Sequence, residues 1–245
     1  AKIKAELDKT IFSKEYQDDL DAIINDYKTI SELQQAYFTA VVGKFKVPSV
    51  LEQIQSLAQD SVINQLGQDA IGANFTGPIK DILVKNVTTG GSRADFIEQA
   101  REFILNTDTG DGRLVRYTKQ IVTDSMNQFS ANYNATITDD LGLVWYKYDG
   151  SLKDTSRPFC DALIGAKKSC MPYIHQSQLE EIVNGQICGE QIPLNDRTGL
   201  PAGMIAGTNA SNFRINRGGY NCNHQLYPVS AAVVPKELRE QFKNA

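Results

Sequence analysis

Through most of the first 140 positions, hydrophobic residues recur at three- and four-residue steps. Leu20, Ile23, Ile24, Tyr27, Ile30, Leu33, Tyr37 and Val41 form the first series. That spacing builds one apolar stripe and predicts a helix over residues 3–45. Pro48 ends it, because the residue before a proline is pushed out of the helical region. Ser49 with Glu52 three positions on reads as a capping box, opening a second stripe of Leu51, Ile54, Leu57, Ala58, Val62 and Leu66. Gly67, Gly72 and Gly77-Pro78 are expected to break that helix up. Residues 79–87 fit a short helix or a strand equally. Ser92 is expected to cap another helix with Phe96, Ala100, Phe103 and Ile104 inward, and residues 106–112 form a polar linker. From Leu114, the series Tyr117, Ile121, Met126, Phe129 and Tyr133 predicts a long amphipathic helix.

The period changes around Asp139-Asp140. Leu141 to Tyr148 alternates and is rich in β-formers, which predicts a strand, and Asp149-Gly150 is a hairpin-type turn signal. Short elements follow, with all four cysteines and both histidines. Residues 159–164 read as a helical turn carrying Cys160. Ser177-x-x-Glu180 reads as a capping box for a short helix that Gly185 closes. Residues 185–216 are loop-rich, and Pro235 starts a closing helix toward Phe242. The fold class expected is α+β. A helical, partner-binding region over 1–140 precedes a small, mixed, loop-rich domain over 141–245.

A hydrophobic fraction of 41% and a charged fraction of 22% are those of an ordinary globular chain, and 245 residues suit one domain or two. No apolar run approaches the roughly 18 residues of a membrane span. The N-terminal Ala-Lys-Ile-Lys-Ala-Glu-Leu-Asp-Lys is a charged helical pattern and is expected not to be a signal peptide. Four Asn-x-Ser/Thr triplets, at Asn74, Asn86, Asn134 and Asn209, then have no route to glycosylation. Of the net charge of −4, residues 141–245 carry 11 basic against 9 acidic residues, leaving 14 against 20 in the first 140. An acidic N-terminal half disfavours direct nucleic-acid binding, which relies on Lys and Arg.

Chemistry concentrates in residues 217–229, Arg-Gly-Gly-Tyr-Asn-Cys-Asn-His-Gln-Leu-Tyr-Pro-Val, and in Asp154-Thr-Ser-Arg-Pro-Phe-Cys160. On an extended strand Cys222 and His224 project to one face. Without a signal peptide, free thiols are expected rather than disulfides. Zinc takes four N/S ligands; Cys222 and His224 offer a close pair, with Cys160 and either His175 or Cys170 completing the set. The competing reading is that these are buried reduced cysteines and that His175 is an ordinary hydrogen-bonded histidine. A cysteine nucleophile, Cys160 or Cys222, with His224 as base and Asp154 or Asp161 as orienter can also be drawn, but no oxyanion-hole loop accompanies it. Arg157 fits a pairing with Asp154 or a stem covering apolar surface. Gly218-Gly219 lacks the Lys-Ser/Thr of a phosphate cradle and reads as a turn. Counted from Asp108, Gly110 and Lys119 fall where a calcium loop needs ligands, so that reading fails.

Trp145-Tyr-x-Tyr-x-Gly150, Asp154-Thr-Ser-Arg-Pro-Phe-Cys160 and Gly218-Gly-Tyr-Asn-Cys-Asn-His224, with Tyr227-Pro228-Val229, together resemble the C-terminal domain of tailed-phage minor head proteins. These form the Mu F-like head-morphogenesis family. Thr155, Arg157 and Cys160 match its "T-R-x-x-C" motif, with Ser156 inserted. Gly219, Asn221, Cys222 and His224 match its "G-x-N-C-R-H" ending, with Asn223 in place of the usual arginine. The resemblance covers roughly residues 141–235. It implies a non-enzymatic virion protein made in the host bacterial cytoplasm and held inside the phage head. Its implied partners are the portal protein and capsid components, with packaged DNA an indirect contact and no membrane. Its helices would dock on other proteins. The alternative from a different class is a small metal- or thiol-dependent hydrolase or nuclease-like effector carried in the head.

Overall fold

The computed structural model describes residues 9, 13–104, 110, 112–164, 171–219 and 222–243. The expected mixture of long helices followed by short mixed elements is what the chain forms. In order these are α1 (Lys14–Val42), α2 (Val50–Leu66), α3 (Gln68–Ile71), a π-helical turn (Gly72–Thr76), α4 (Gly77–Thr88), α5 (Arg93–Ile104) and α6 (Arg113–Asp140). Then come β1 (Trp145–Asp149), α7 (Pro158–Ile164), β2 (Ile174–His175), a 3-10 turn (Gln176–Gln178), α8 (Leu179–Val183), β3 (Gln186–Ile187) and β4 (Glu190–Gln191). The chain closes with α9 (Phe213–Asn216), β5 (Gln225–Val229), a 3-10 turn (Ala231–Val233) and α10 (Lys236–Gln241). Two compact units result, one from residues 1–29 and 55–126, the other from residues 30–54 and 127–245.

In the first unit, tyrosine hydroxyls reach across to backbone carbonyls. Tyr16 donates to Leu66 O at 2.7 Å and Tyr117 to Gln65 O at 3.1 Å, while Tyr27 and Ser125 pair at 2.7 Å. Phe75 is buried edge-on between Phe103 and Tyr117. Gly72 and Gly77 do not break the helical path as expected. The backbone widens into the π-helical turn and continues through Gly77, itself in the helical region, into α4. This also settles residues 79–87 as helix. Leu57 of the expected α2 stripe is exposed, at 69%. Ser92 caps α5 as expected, and Asp95 makes the cap reciprocal: Ser92 Oγ accepts from Asp95 N at 3.1 Å and Asp95 Oδ2 accepts from Ser92 N at 2.8 Å. Ser92→Ala is expected to destabilise this unit by about 1 kcal/mol, measured as a lower helical melting midpoint; no change would mean that the exposed cap contributes nothing.

In the second unit a three-stranded sheet runs β2-β1-β5, antiparallel throughout. Trp145 pairs with both His175 and Val229, and Tyr146 pairs with Pro228. Alternation along β1 sends Tyr146 and Tyr148 into the core with Phe159, Leu163, Ile174, Ile182 and Phe213. Burying each of these large side chains stabilises the unit by about 1.5–3 kcal/mol. Asp149-Gly150 is not a hairpin turn as expected, because the partner of β1 is the distant β5. Tyr37 of α1 donates to the Pro228 carbonyl at 2.5 Å. Leu33 of the expected α1 stripe is exposed at 65%, and the polar Ser31 and Gln34 are buried in its stead. Gln34 Nε2 donates to Ser130 Oγ at 2.7 Å and to Ser130 O at 2.9 Å, which explains its burial.

Two further expectations are corrected here. The cap before α8 is not Ser177 with Glu180. His175 accepts from Ser177 N at 3.3 Å, and the Gln178 side chain accepts from His175 N at 2.9 Å. Within the segment expected to be loop, β3 and β4 pair Ile187 with Glu190. Cys188 (φ 60°) and Gly189 (φ 82°) are the two residues between them. Both angles are positive, as in the two-residue turns whose twist matches that of a hairpin.

Candidate functional site

The N-terminus of α7 and the approach to β5 bring the paired motifs together. Pro158 opens α7 with its preset φ, and the Asp161 N–H bonds back to Arg157 O at 3.0 Å. That turn faces Phe159, Cys160 and Leu163 inward. After α9, the Gly219 N–H bonds to Asn216 O at 2.8 Å and the Cys222 N–H to Gly219 O at 3.2 Å. This double turn delivers Cys222 and His224 just ahead of β5.

The thiols of Cys160 and Cys222 and the imidazole of His224 are all buried, with their ligand atoms within 4.8 Å of one another. Cys222 Sγ lies 3.5 Å from His224 Nδ1. Tyr148, on β1, places its hydroxyl 3.5 Å from Cys160 Sγ and 3.8 Å from Cys222 Sγ, and its ring stacks on His224. His224 Nε2 is buried with no hydrogen-bond partner. The Cys222 thiol is held below its ordinary value, first by the facing Cys160 side chain and then by His224 and Tyr148. Cys160 is pushed up, as donor to Cys222 and by burial. Burial pushes the Tyr148 phenol well above its ordinary value.

A cavity of about 210 Å³ opens beside this cluster, lined by Ser151, Thr155, Arg157, Asn223 and the three cluster residues among others. Thr155 is exposed at its rim. Arg157 donates to the Gly218 carbonyl, and its stem lies against Gly203, where a Cβ would collide with it. Glycine is needed at three further close approaches. A Cβ at Gly150 would fall 2.6 Å from His224 Cδ2; one at Gly218 would overlap Cys222 Sγ; one at Gly219 would overlap the Gly203 carbonyl oxygen.

Beneath the cluster lies Arg217, 3% exposed and at φ 42°. Its guanidinium donates to Asn127 O at 2.8 Å, His224 O at 3.2 Å, Ile215 O at 3.3 Å and the Gln225 side chain. Burial lowers its pKa. Five fork-shaped donors are what a buried knot of carbonyls requires.

Of the residues singled out in the sequence, Cys160, Cys222 and His224 meet, with Arg157, Thr155 and Gly219 around them. His175 does not join them. It sits in β2, bonded to Ser177 and packed against Trp145 and Phe242. Asn221 and Cys170 lie outside the described residues. Asp154 and Asp161 are both exposed and neither orients His224, whose Nδ1 faces sulfur and whose Nε2 has no partner. The expectation of reduced cysteines holds for Cys160 and Cys222, which are free. It fails at Cys188, which is disulfide-bonded. Sequence reasoning quoted Tyr148 and Arg217 within their motifs without assigning either a role, and it missed Gly203. The Tyr-x-Tyr alternation was the only signal pointing at Tyr148.

Burial holds the His175 imidazole below its ordinary value of 6.5. The stability that its neutral form contributes is complete above the unfolded pKa and is lost as pH falls through the lower folded one. Unfolding free energy is therefore expected to decline as pH falls through the unfolded value of 6.5 and on to the lower folded one, and His175→Gln to flatten that decline. Identical pH slopes in urea titrations of the two proteins would assign the loss elsewhere.

No protein-family model, curated protein or solved structure matches the chain. Among the described residues no helix is long and apolar enough to cross a membrane.

Proposed function

We propose that this chain is a minor head protein of a tailed phage, bound at the portal inside the capsid and acting in head assembly or in the packaging and ejection of DNA. One observation carries the reading. Two motifs that resemble the Mu F-like family, some sixty residues apart, pack as one unit: Arg157 clasps the Gly218 carbonyl, and Cys160 faces Cys222 and His224. A structural module needs such long-range fastening where its elements are short. Quantitative mass spectrometry of purified particles and procapsids of the source phage tests it. A few copies per particle are expected, and absence from both overturns the proposal.

A second reading, a small metal- or thiol-dependent hydrolase or nuclease-like effector carried in the head, is favoured by the cavity that opens on the thiols and the imidazole. It expects His224→Ala to abolish hydrolysis of a nucleic-acid or peptide substrate with circular dichroism unchanged. If the wild-type protein hydrolyses neither, this reading fails.

A further inference from the structure

We infer that Cys160, Cys222 and His224 form a zinc site with three protein ligands and a fourth position open to the adjoining cavity. The donor set is the first argument. Two thiols and an imidazole are soft and borderline ligands that select zinc among common cations, whereas calcium and magnesium take oxygen. Spacing is the second. An ion about 2.3 Å from sulfur and about 2.0 Å from nitrogen in a tetrahedron holds the two atoms about 3.5 Å apart. Cys222 Sγ and His224 Nδ1 lie 3.5 Å apart.

The third argument is the bonding at Nδ1. His224 is 6% exposed, and among the described residues its Nδ1 meets only the Cys222 sulfur. A thiol is a weak hydrogen-bond partner, and an ion shared with the two sulfurs would be a stronger one at that same atom. Tyr148 supplies the outer support such sites use, with its hydroxyl 3.5 Å and 3.8 Å from the two sulfurs.

Among the described residues, no fourth Cys, His, Asp or Glu joins the cluster. Structural zinc sites are closed by four protein ligands, while three ligands leave a position for water or an exogenous group. The cavity beside the cluster is lined also by Ser151, Lys153, Thr155, Ser156 and Arg157, so an open fourth position would give onto it. A water or an anionic oxygen beside the guanidinium completes the tetrahedron.

The inference stands apart from the head-protein reading, and its test reads metal rather than assembly. Protein prepared with zinc is analysed for metal content, then stripped with a chelator and titrated with Co²⁺ while the thiols are probed for alkylation. About one zinc per chain is expected, with thiols protected until chelation. Cobalt should give tetrahedral d–d bands and a thiolate charge-transfer band. His224→Ala and Cys160→Ser should weaken cobalt binding at least tenfold, and His175→Ala should leave it unchanged. Should those variants fail to fold, the cobalt spectrum of the stripped wild-type chain decides alone. No zinc and no thiolate charge-transfer band, or undiminished binding by a folded His224→Ala protein, overturns the inference.

Discussion

Gly219→Ala is expected to destabilise the second unit by about 2–5 kcal/mol, a large share of the roughly 5–15 kcal/mol that holds a typical domain folded. Two effects add. Gly219 sits at φ 82°, a left-handed conformation that costs an L-residue about 1–2 kcal/mol. A Cβ there also overlaps the Gly203 carbonyl oxygen, which is backbone and cannot rotate away; forced overpacking of this kind costs about 1–3 kcal/mol. Gly207 separates the two effects. It has nearly the same φ, 84°, but open space where its Cβ would be, so Gly207→Ala should lose only the conformational part. Trp145 is the single tryptophan and lies in this unit, so its fluorescence in urea reports on it. Equal midpoints for the two variants would contradict the steric account.

The second large effect is expected at Arg217. Arg217→Met keeps much of the stem volume but removes every donor, leaving the carbonyls of Asn127 and His224 without this partner. Each buried unsatisfied group costs about 1–3 kcal/mol, so a loss of about 3–5 kcal/mol is expected when two or more are stranded. Arg217→Lys should recover only part of it, because one ammonium cannot repeat the planar fork across acceptors on α6 and at the head of β5. The same tryptophan signal measures both. Stability within about 0.5 kcal/mol of wild type for Arg217→Met, the range of neutral surface changes, would remove Arg217 from the framework of the site.

The sequence carried the site as far as local spacing can reach. Cys222 and His224 are two apart, so any extended segment brings them near each other, and Arg157 and Cys160 stand within one helical turn. What brings the two pairs together is not local. Tyr148 arrives through the pairing of β1 with β5, whose residues are about eighty positions apart. Arg217 gains its importance from acceptors on α6, ninety positions earlier. Gly203 matters because Arg157 crosses it and because Gly219 packs against its carbonyl, and no composition signal marks such approaches. Helices were legible for the complementary reason: their stripes repeat many times, so errors such as exposed Leu33 and Leu57 change which side chain faces in, not whether a helix forms. The β3–β4 hairpin was hidden because Cys188 is an unusual occupant of a left-handed turn position, for which Asn or Gly is the normal signal. Gly72 and Gly77 misled in the other direction, since a helix can widen by one residue per turn and absorb them.

The placement of Pro228 has a consequence for how copies of this chain tolerate crowding. β5 lies at one margin of its sheet, where free N–H and carbonyl groups invite a strand from another molecule. Pro228 offers no N–H to such a strand, and its carbonyl is already engaged by the Tyr37 hydroxyl. At the opposite margin β2 is only two residues long, too short to template growth. Both margins of the sheet therefore carry a feature that discourages intermolecular strand pairing, which guards against aggregation wherever many copies are confined together.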